Sequence, residues 1–350
     1  MSIEKELKTA GIEVISKLDK ESVQNISKYV TEEICAKFPS LHFNFNELFL
    51  EISNIPMYIA NISNSSLDAN YFYKNSSIYF RNDLGLNSLK KIAIHEIIHH
   101  LQEIKDEKNN LYRLGLCNLE KSTIVGGALN EAAVQTVSSY ICEEKPEIVS
   151  YYGIEFLAIS KDIYPVICNL LSQMCYITGE NALYDSVFNS NNTFKNTFIK
   201  QTNKYAFNKV QNNFDLILNL EEKILNINQK FEIEASKQKK KSKYQKKIDT
   251  TIIKIRNTYF ETQKILFTSF FDNQYNTLKS ESDIEIYKKR FSIYKELIGF
   301  NDSYSDFSKY YSKKINELES NYEKIITKKF PTLKNKFILF IEKLLNKLKK

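Results

Sequence analysis

The sequence contains no stretch of about 18 uncharged apolar residues, so no segment reads as a membrane-crossing helix. Its five cysteines (Cys35, Cys117, Cys142, Cys168 and Cys175) are odd in number and never spaced as C-x-x-C. They read as reduced, mostly buried thiols, which excludes a disulfide framework. The opening MSIEKELKTAG carries charges of both signs and no apolar centre, so a secretory signal is not expected and the expected compartment is the cytoplasm. Tryptophan is absent, which says nothing about function. Glycine and proline thin out along the chain: after residue 180 only Gly299 and Pro331 remain, so turn punctuation belongs to the first half.

Apolar residues make up 43% of the 350 positions and aromatics 13%, ample for a packed core and too much for a disordered chain. Charge is unevenly spread. Residues 1–220 hold 20 Lys and Arg against 25 Asp and Glu (−5), while residues 221–350 hold 29 against 17 (+12). The two parts are therefore expected to do different jobs.

A short strand over Ile12–Ser16 and a helix over Glu21–Phe38 capped by Asp19 are expected first. The apolar run IPMYIANIS at 55–63 reads as a strand. A polar stretch then leads to SSIYFRND, where Ile78 and Phe80 alternate with Tyr79 and Arg81 at the period of a half-buried strand. Asn82, Asp83 and Gly85 end it, and Asn87 or Ser88 can cap the next helix. From Ala128 onward helical periods dominate, over 128–143, 154–177 with an interruption near Pro165, 180–189, 193–226 and long stretches beyond. The expected fold class is α+β and predominantly helical, a small mixed sheet followed by a long all-helical C-terminal region. The expected divisions are 1–125 with the sheet, a helical part at 126–225 and a basic helical extension at 226–350.

Three of the four histidines fall in KKIAIHEIIHHLQ, residues 90–102, where His95, Glu96 and His99 spell H-E-x-x-H. At about 100° per residue, His99 lies about 40° from His95 and Glu96 about 100°, whereas Ile94, Ile97 and Leu101 fall between about 200° and 260°. One face is apolar and the other carries the His95/His99 pair, with His100 turned toward the edge of the apolar stripe. Imidazoles at i and i+4 can bind one Zn²⁺, with Glu96 beside them to take a proton from a zinc-polarised water that attacks a carbonyl. So short a pattern also arises by accident on helices.

A catalytic zinc needs a third protein ligand. His42, in LHFNFNE, is poorly placed, and Gln102 and Lys105 stand where an H-E-x-x-H-x-x-G-x-x-H extension wants Gly and His. Downstream, GGALNEAAVQ at 126–135 begins with a glycine pair suited to a tight helix entry and carries Asn130-Glu131 and Gln135, with Ala128, Ala132 and Ala133 small enough for close packing. Taken alone, Glu131 is an acid in the first turn of a helix, favoured by the dipole.

H-E-x-x-H on one helix and N-E-x-x-x-[D] on a second resembles the gluzincin class of zinc metallopeptidases, to which thermolysin belongs. The resemblance covers roughly residues 50–145 and is specific at the two motifs. It implies that His95, His99 and Glu131 bind one Zn²⁺, that Glu96 is the general base, and that Asn130 hydrogen-bonds a ligand histidine. Gln135 stands where that class commonly has Asp, and its amide oxygen can still accept an Nδ1–H bond. It also implies an edge strand that pairs with an extended peptide, for which Ile78, Tyr79 and Phe80 are the candidates.

Peptide hydrolysis further needs an oxyanion donor. Tyr152, beside Tyr151 in a turn after the Glu131 helix, is the chosen candidate, with Tyr164 a further one. Cys117, between the two motif helices, reads either as a buried structural thiol or as a thiolate that approaches the metal. In the basic half, Lys-rich faces read as the solvated side of a helical bundle. The sharper alternatives are nucleic-acid contact by KQKKKSKYQKK at 237–247, weakened by the scarcity of Arg, and membrane-surface binding by the amphipathic tail 337–350. The function expected is a zinc metallopeptidase acting on a peptide or protein substrate. Two alternatives stand beside it: a regulatory or binding protein of zincin fold that does not cut, and a helical nucleic-acid or membrane-surface binder.

Overall fold

The computed structural model describes residues 2–63, 68–108, 110–120, 123–234, 241–298 and 306–327. The chain opens with α1 (Ile3–Thr9), β1 (Ile12–Lys17) and α2 (Lys20–Lys37). Asp19 caps α2 as expected, its Oδ1 accepting the Ser22 N–H at 2.8 Å. Helix α3 (Phe45–Ser53) and strands β2 (Met57–Ile62), β3 (Ala69–Phe72) and β4 (Ser77–Arg81) follow. They build a four-stranded sheet in the order β1-β2-β4-β3, antiparallel except for the parallel β2/β4 pair. The small mixed sheet in a predominantly helical chain is as expected.

Its edge is not where the sequence suggested. Ile78, Tyr79 and Phe80 lie on β4, which is paired with β2 on one side and β3 on the other, so their strand has no free edge. All three are buried. The edge strand beside the motif helix is β3, hidden in the sequence because NSSLDANYFYKN reads as polar punctuation.

Helix α4 (Leu86–Leu101) carries the H-E-x-x-H motif, with Gly85 in the N-cap position and no side-chain cap, in place of Asn87 or Ser88. Ala93, Ile94, Ile97 and Ile98 are wholly buried on one face, which packs α4 on α2, α5 (Gly127–Ile141) and β3. Between the motif helices runs an antiparallel meander, β5 (Glu103–Lys105), β6 (Leu111–Leu114), β7 (Cys117–Glu120) and β8 (Thr123–Val125), which the sequence reading left without strands. Helix α5 is buried nearly all round, and Ala128, Ala132 and Ala133 allow the close approach their size suggested.

The helix expected over 154–177 opens as a strand and becomes helical only at Pro165. A hairpin of β9 (Glu147–Tyr151) and β10 (Ile154–Ala158) turns through Tyr152 and Gly153, at φ 55° and 72°. Both central residues with positive φ suit a two-residue hairpin turn. Helix α6 begins at Pro165 and runs to Thr178. Proline's fixed φ suits that first position. Next come α7 (Glu180–Phe188), α8 (Thr193–Gln201) and α9 (Lys204–Glu234). The expected 193–226 helix is split because Asn203 caps a new start, accepting the Ala206 N–H at 2.8 Å.

Helices α10 (Lys241–Thr277), α11 (Glu281–Leu297) and α12 (Asp306–Thr327) form the long helical region. Residues 237–240 of the basic run and the whole tail 337–350 lie outside the described residues. One continuous cluster of buried apolar side chains extends from Val23 to Ile325, through all three expected divisions. Among the described residues no helix is long and apolar enough to cross a membrane.

Candidate metal centre

Helices α4 and α5 bring the two motifs face to face. His95 Nε2 and His99 Nε2 stand 3.2 Å apart. Glu131 places Oε2 3.6 Å from His95 Nε2 and Oε1 3.6 Å from His99 Nε2. A tetrahedral Zn²⁺ with bonds of about 2.0–2.1 Å separates its ligand atoms by roughly 3.3 Å. The three groups therefore fit one small divalent ion, and they are the metal-capable cluster among the described residues.

The electrostatics fit as well. Burial by itself would raise the Glu131 carboxyl, but the His99 and His95 imidazoles hold it well below the usual carboxylate range. Burial opposes a charge on His99, yet the Glu131 carboxylate outweighs it and the imidazole is raised. The Glu131 carboxylate thus concentrates negative charge at the point where the two imidazoles meet, the place a cation would sit.

Gln135 does what its position in the motif implied. Its Oε1 lies 2.9 Å from His95 Nδ1. Its Nε2 donates to Ser139 Oγ at 3.2 Å and Ser160 Oγ at 3.0 Å, which fixes which end of the amide meets the histidine. His95 is thus held with Nδ1 protonated and Nε2 free for a metal.

Asn130 departs from expectation. Its hydrogen bonds go elsewhere than to the ligand histidines: its Oδ1 accepts the Leu116 N–H at 2.9 Å and its Nδ2 donates to Gln102 Oε1 at 3.0 Å. The helical phase that aims Glu131 at α4 turns its neighbour about 100° away. The Gln102 side chain is what lies beside His99, whose buried Nδ1 makes no well-formed hydrogen bond.

Glu96 is 8% exposed, and its Oε2 accepts the backbone N–H of Tyr71 at 2.6 Å. His100 faces away from the ligands, with Nδ1 3.1 Å from the Tyr71 hydroxyl and burial lowering its pKa. His42 ends a short 3-10 turn in left-handed conformation and is not part of the cluster.

The hydroxyls of Tyr152 and Tyr151, singled out in the sequence, have partners of their own. The Tyr152 hydroxyl is tied to Glu221 on α9, and Tyr151 donates to Lys161 O at 2.7 Å. Tyr164 is the tyrosine on which the Glu131 and Glu96 charges act; burial and those carboxylates hold its phenol well above the ordinary value. It enters α6 at φ 52°. Cys117 is a buried free thiol pushed up to about 12 by burial and by Glu131, so it is neutral and reads as structural.

Two supports come from α9 and had no signal in the sequence. Asp215 Oδ1 accepts the Ala128 N–H at 3.0 Å, capping the helix that carries Glu131 where Gly126 offers no side chain. Glu221 is pushed up to about 7 by burial, against the pull of its bond to Tyr152.

Beside the ligand cluster, then, lie the Glu96 carboxylate and the edge of β3 joined to it through the Tyr71 N–H, with the Tyr164 phenol under the influence of the Glu131 and Glu96 charges. Compared with known proteins, the chain matches no family model, no curated protein and no solved structure, so its own residues and their geometry are what bear on function.

Proposed function

We propose that the protein is a zinc-dependent metallopeptidase of the gluzincin type, acting on a peptide or protein held in extended form. The observation that carries this reading is the convergence of His95, His99 and Glu131 on one point with Glu96 beside it. Bound there, zinc supplies Lewis acidity that makes a water nucleophilic near neutral pH and polarises the scissile carbonyl.

The chain's own groups do the rest. Glu96, on the same helix as both histidines, takes a proton from the attacking water and returns it to the leaving amine. The Tyr164 hydroxyl, kept protonated by burial and by its acidic neighbours, donates a hydrogen bond to the oxyanion. Gln135 holds His95 in the tautomer that leaves Nε2 unprotonated. The outward edge of β3 offers main-chain groups to an extended substrate, the usual way a sheet edge takes up a peptide.

The engagement of Glu96 by Tyr71 favours a second reading, a zincin-fold binding protein that keeps the metal without cutting. Metal analysis and a peptide library separate the two. The peptidase reading expects about one zinc per chain, cleavage by the wild type, and a Glu96→Gln variant that keeps zinc and loses cleavage. Zinc in both proteins with cleavage in neither would establish the second reading, and a chain that takes up no zinc at neutral pH would sink both.

A further inference from the structure

We propose that Ser160 is a positioning residue that ties the orientation of the His95 imidazole to the turn presenting Tyr164. The proposal rests on the peptidase reading of the same site. Ser160 is 2% exposed and lies between β10 and α6, away from both sequence motifs. It touches no ligand atom itself and acts through two neighbours.

The first neighbour is Gln135. A serine hydroxyl has one proton and can both donate and accept. Here Ser160 Oγ donates that proton to Ile163 O at 2.7 Å. What remains toward Gln135 is a lone pair, and Gln135 Nε2 donates to it at 3.0 Å. The amide must therefore present its NH₂ end to Ser160 and Oε1 to His95 Nδ1, 2.9 Å away. That makes Nδ1 the protonated nitrogen and leaves the Nε2 lone pair facing His99 and Glu131. Ser139 also accepts from Gln135 Nε2, at 3.2 Å. Among the described residues no other hydrogen bond fixes the Ser139 proton, so Ser160 is the group that sets the polarity of the chain.

The second neighbour is the peptide between Ile163 and Tyr164. Tyr164 sits at φ 52°, ψ 38°, a left-handed conformation that non-glycine residues adopt only when surrounding structure enforces it. Holding Ile163 O fixes the peptide plane immediately before it, and Cys168 N donates to Tyr164 O at 3.0 Å on the other side. One hydroxyl thus joins the metal ligand's tautomer to the placement of the oxyanion donor.

The test uses the full chain. Ser160→Ala removes both bonds, while Ser160→Thr keeps the hydroxyl. Zinc affinity is read by chelator competition and ligand geometry by the visible spectrum of the Co²⁺-loaded protein. Turnover is read as kcat and KM separately. Ser160→Ala should bind zinc roughly tenfold more weakly, shift the Co²⁺ bands, and lower kcat with KM nearly unchanged. Its kcat loss should be less than additive with that of Tyr164→Phe, and Ser160→Thr should restore all readouts.

Zinc affinity within twofold of wild type and an unchanged Co²⁺ spectrum in Ser160→Ala overturn the proposal, as do fully additive kcat losses. If Ser160→Ala does not fold, Ser160→Cys, a weak donor and acceptor of similar size, faces the same criteria. A wild type that binds metal but cleaves nothing overturns the peptidase reading alone, because affinity and spectrum still decide the role of Ser160.

Discussion

The backbone N–H of Tyr71 lies 2.6 Å from Glu96 Oε2, so the edge strand of the sheet and the carboxylate of the motif helix are joined directly. The same residue reaches α4 a second time through its hydroxyl, 3.1 Å from His100 Nδ1. Tyr71 therefore fastens β3 along the motif helix. His100, no metal ligand, contributes by anchoring that strand. Under the peptidase reading, a peptide added to β3 would approach the N–H that holds the proposed general base, so substrate docking and the freedom of Glu96 would be coupled.

Glu96→Gln isolates the base from the scaffold. The amide oxygen can still accept the Tyr71 N–H, so the fold and the zinc content should stay as in the wild type, while the group that takes a proton is gone. General-base removal costs on the order of 10²–10⁴ in rate, and turnover of a cleaved peptide should fall by about a thousandfold. Turnover within tenfold of wild type, measured on protein of confirmed zinc content, would remove Glu96 from that role.

Metal should also stabilise the fold. An ion that binds the native state at a thousandfold excess over its dissociation constant adds about 4 kcal/mol. Chelator should therefore lower the unfolding temperature of the wild type and leave that of His99→Ala and Glu131→Ala unmoved. Calorimetry with and without chelator, beside elemental analysis, checks this. A wild type indifferent to chelator contradicts it.

Legibility in the sequence followed periodicity. The face of α4 is written at 3.6-residue spacing, and Ala93, Ile94, Ile97 and Ile98 are buried opposite His95 and His99 as that spacing requires. Glu131 and Gln135 were readable because one helix carries both and the motif names their places. What the sequence hid is made by the main chain or by distant elements. Tyr71 acts through a backbone N–H, which no side-chain pattern records. Asp215 caps α5 from 87 residues away. Nothing in the sequence separates Tyr152 from Tyr164: both take left-handed conformations, at φ 55° and 52°, and only the fold ties Tyr152 to Glu221 while leaving Tyr164 under the charges of Glu131 and Glu96. The hairpin at 147–158 was missed because Leu157, Ala158 and Ile159 extend an alternating run into a continuous apolar one.

The two tyrosines give a paired test. Tyr164→Phe removes the hydroxyl on which the Glu131 and Glu96 charges act, and loss of one oxyanion donor typically costs 10²–10³ in kcat. A fall of about a hundredfold is expected, with zinc content and KM little changed. Tyr152→Phe, whose partner is Glu221, should stay within a few fold of wild-type kcat. Steady-state kinetics of both variants on one substrate decide the assignment, and the reverse ranking would return the role to Tyr152.

Glu221 carries a pH dependence whose sign can be worked out. Its folded pKa is raised from 4.5 to about 7 by burial, so between those values the folded chain holds a proton that the unfolded chain has released. Stability is then greatest below pH 4.5, as far as this group goes, and falls as the pH rises toward 7, where the penalty becomes complete. A shift of that size corresponds to roughly 3 kcal/mol, reduced to about 2 kcal/mol by the part of the side chain that meets solvent. Glu221→Gln keeps a partner for the Tyr152 hydroxyl and removes the ionisation. Between pH 5 and pH 8 the wild type should therefore lose about 1.5 kcal/mol more than the variant, part of the penalty having set in below pH 5, read from denaturant unfolding at fixed metal concentration. Parallel losses in the two proteins would mean that Glu221 is ionised in the fold at neutral pH and that its contact with Tyr152 is made by a carboxylate.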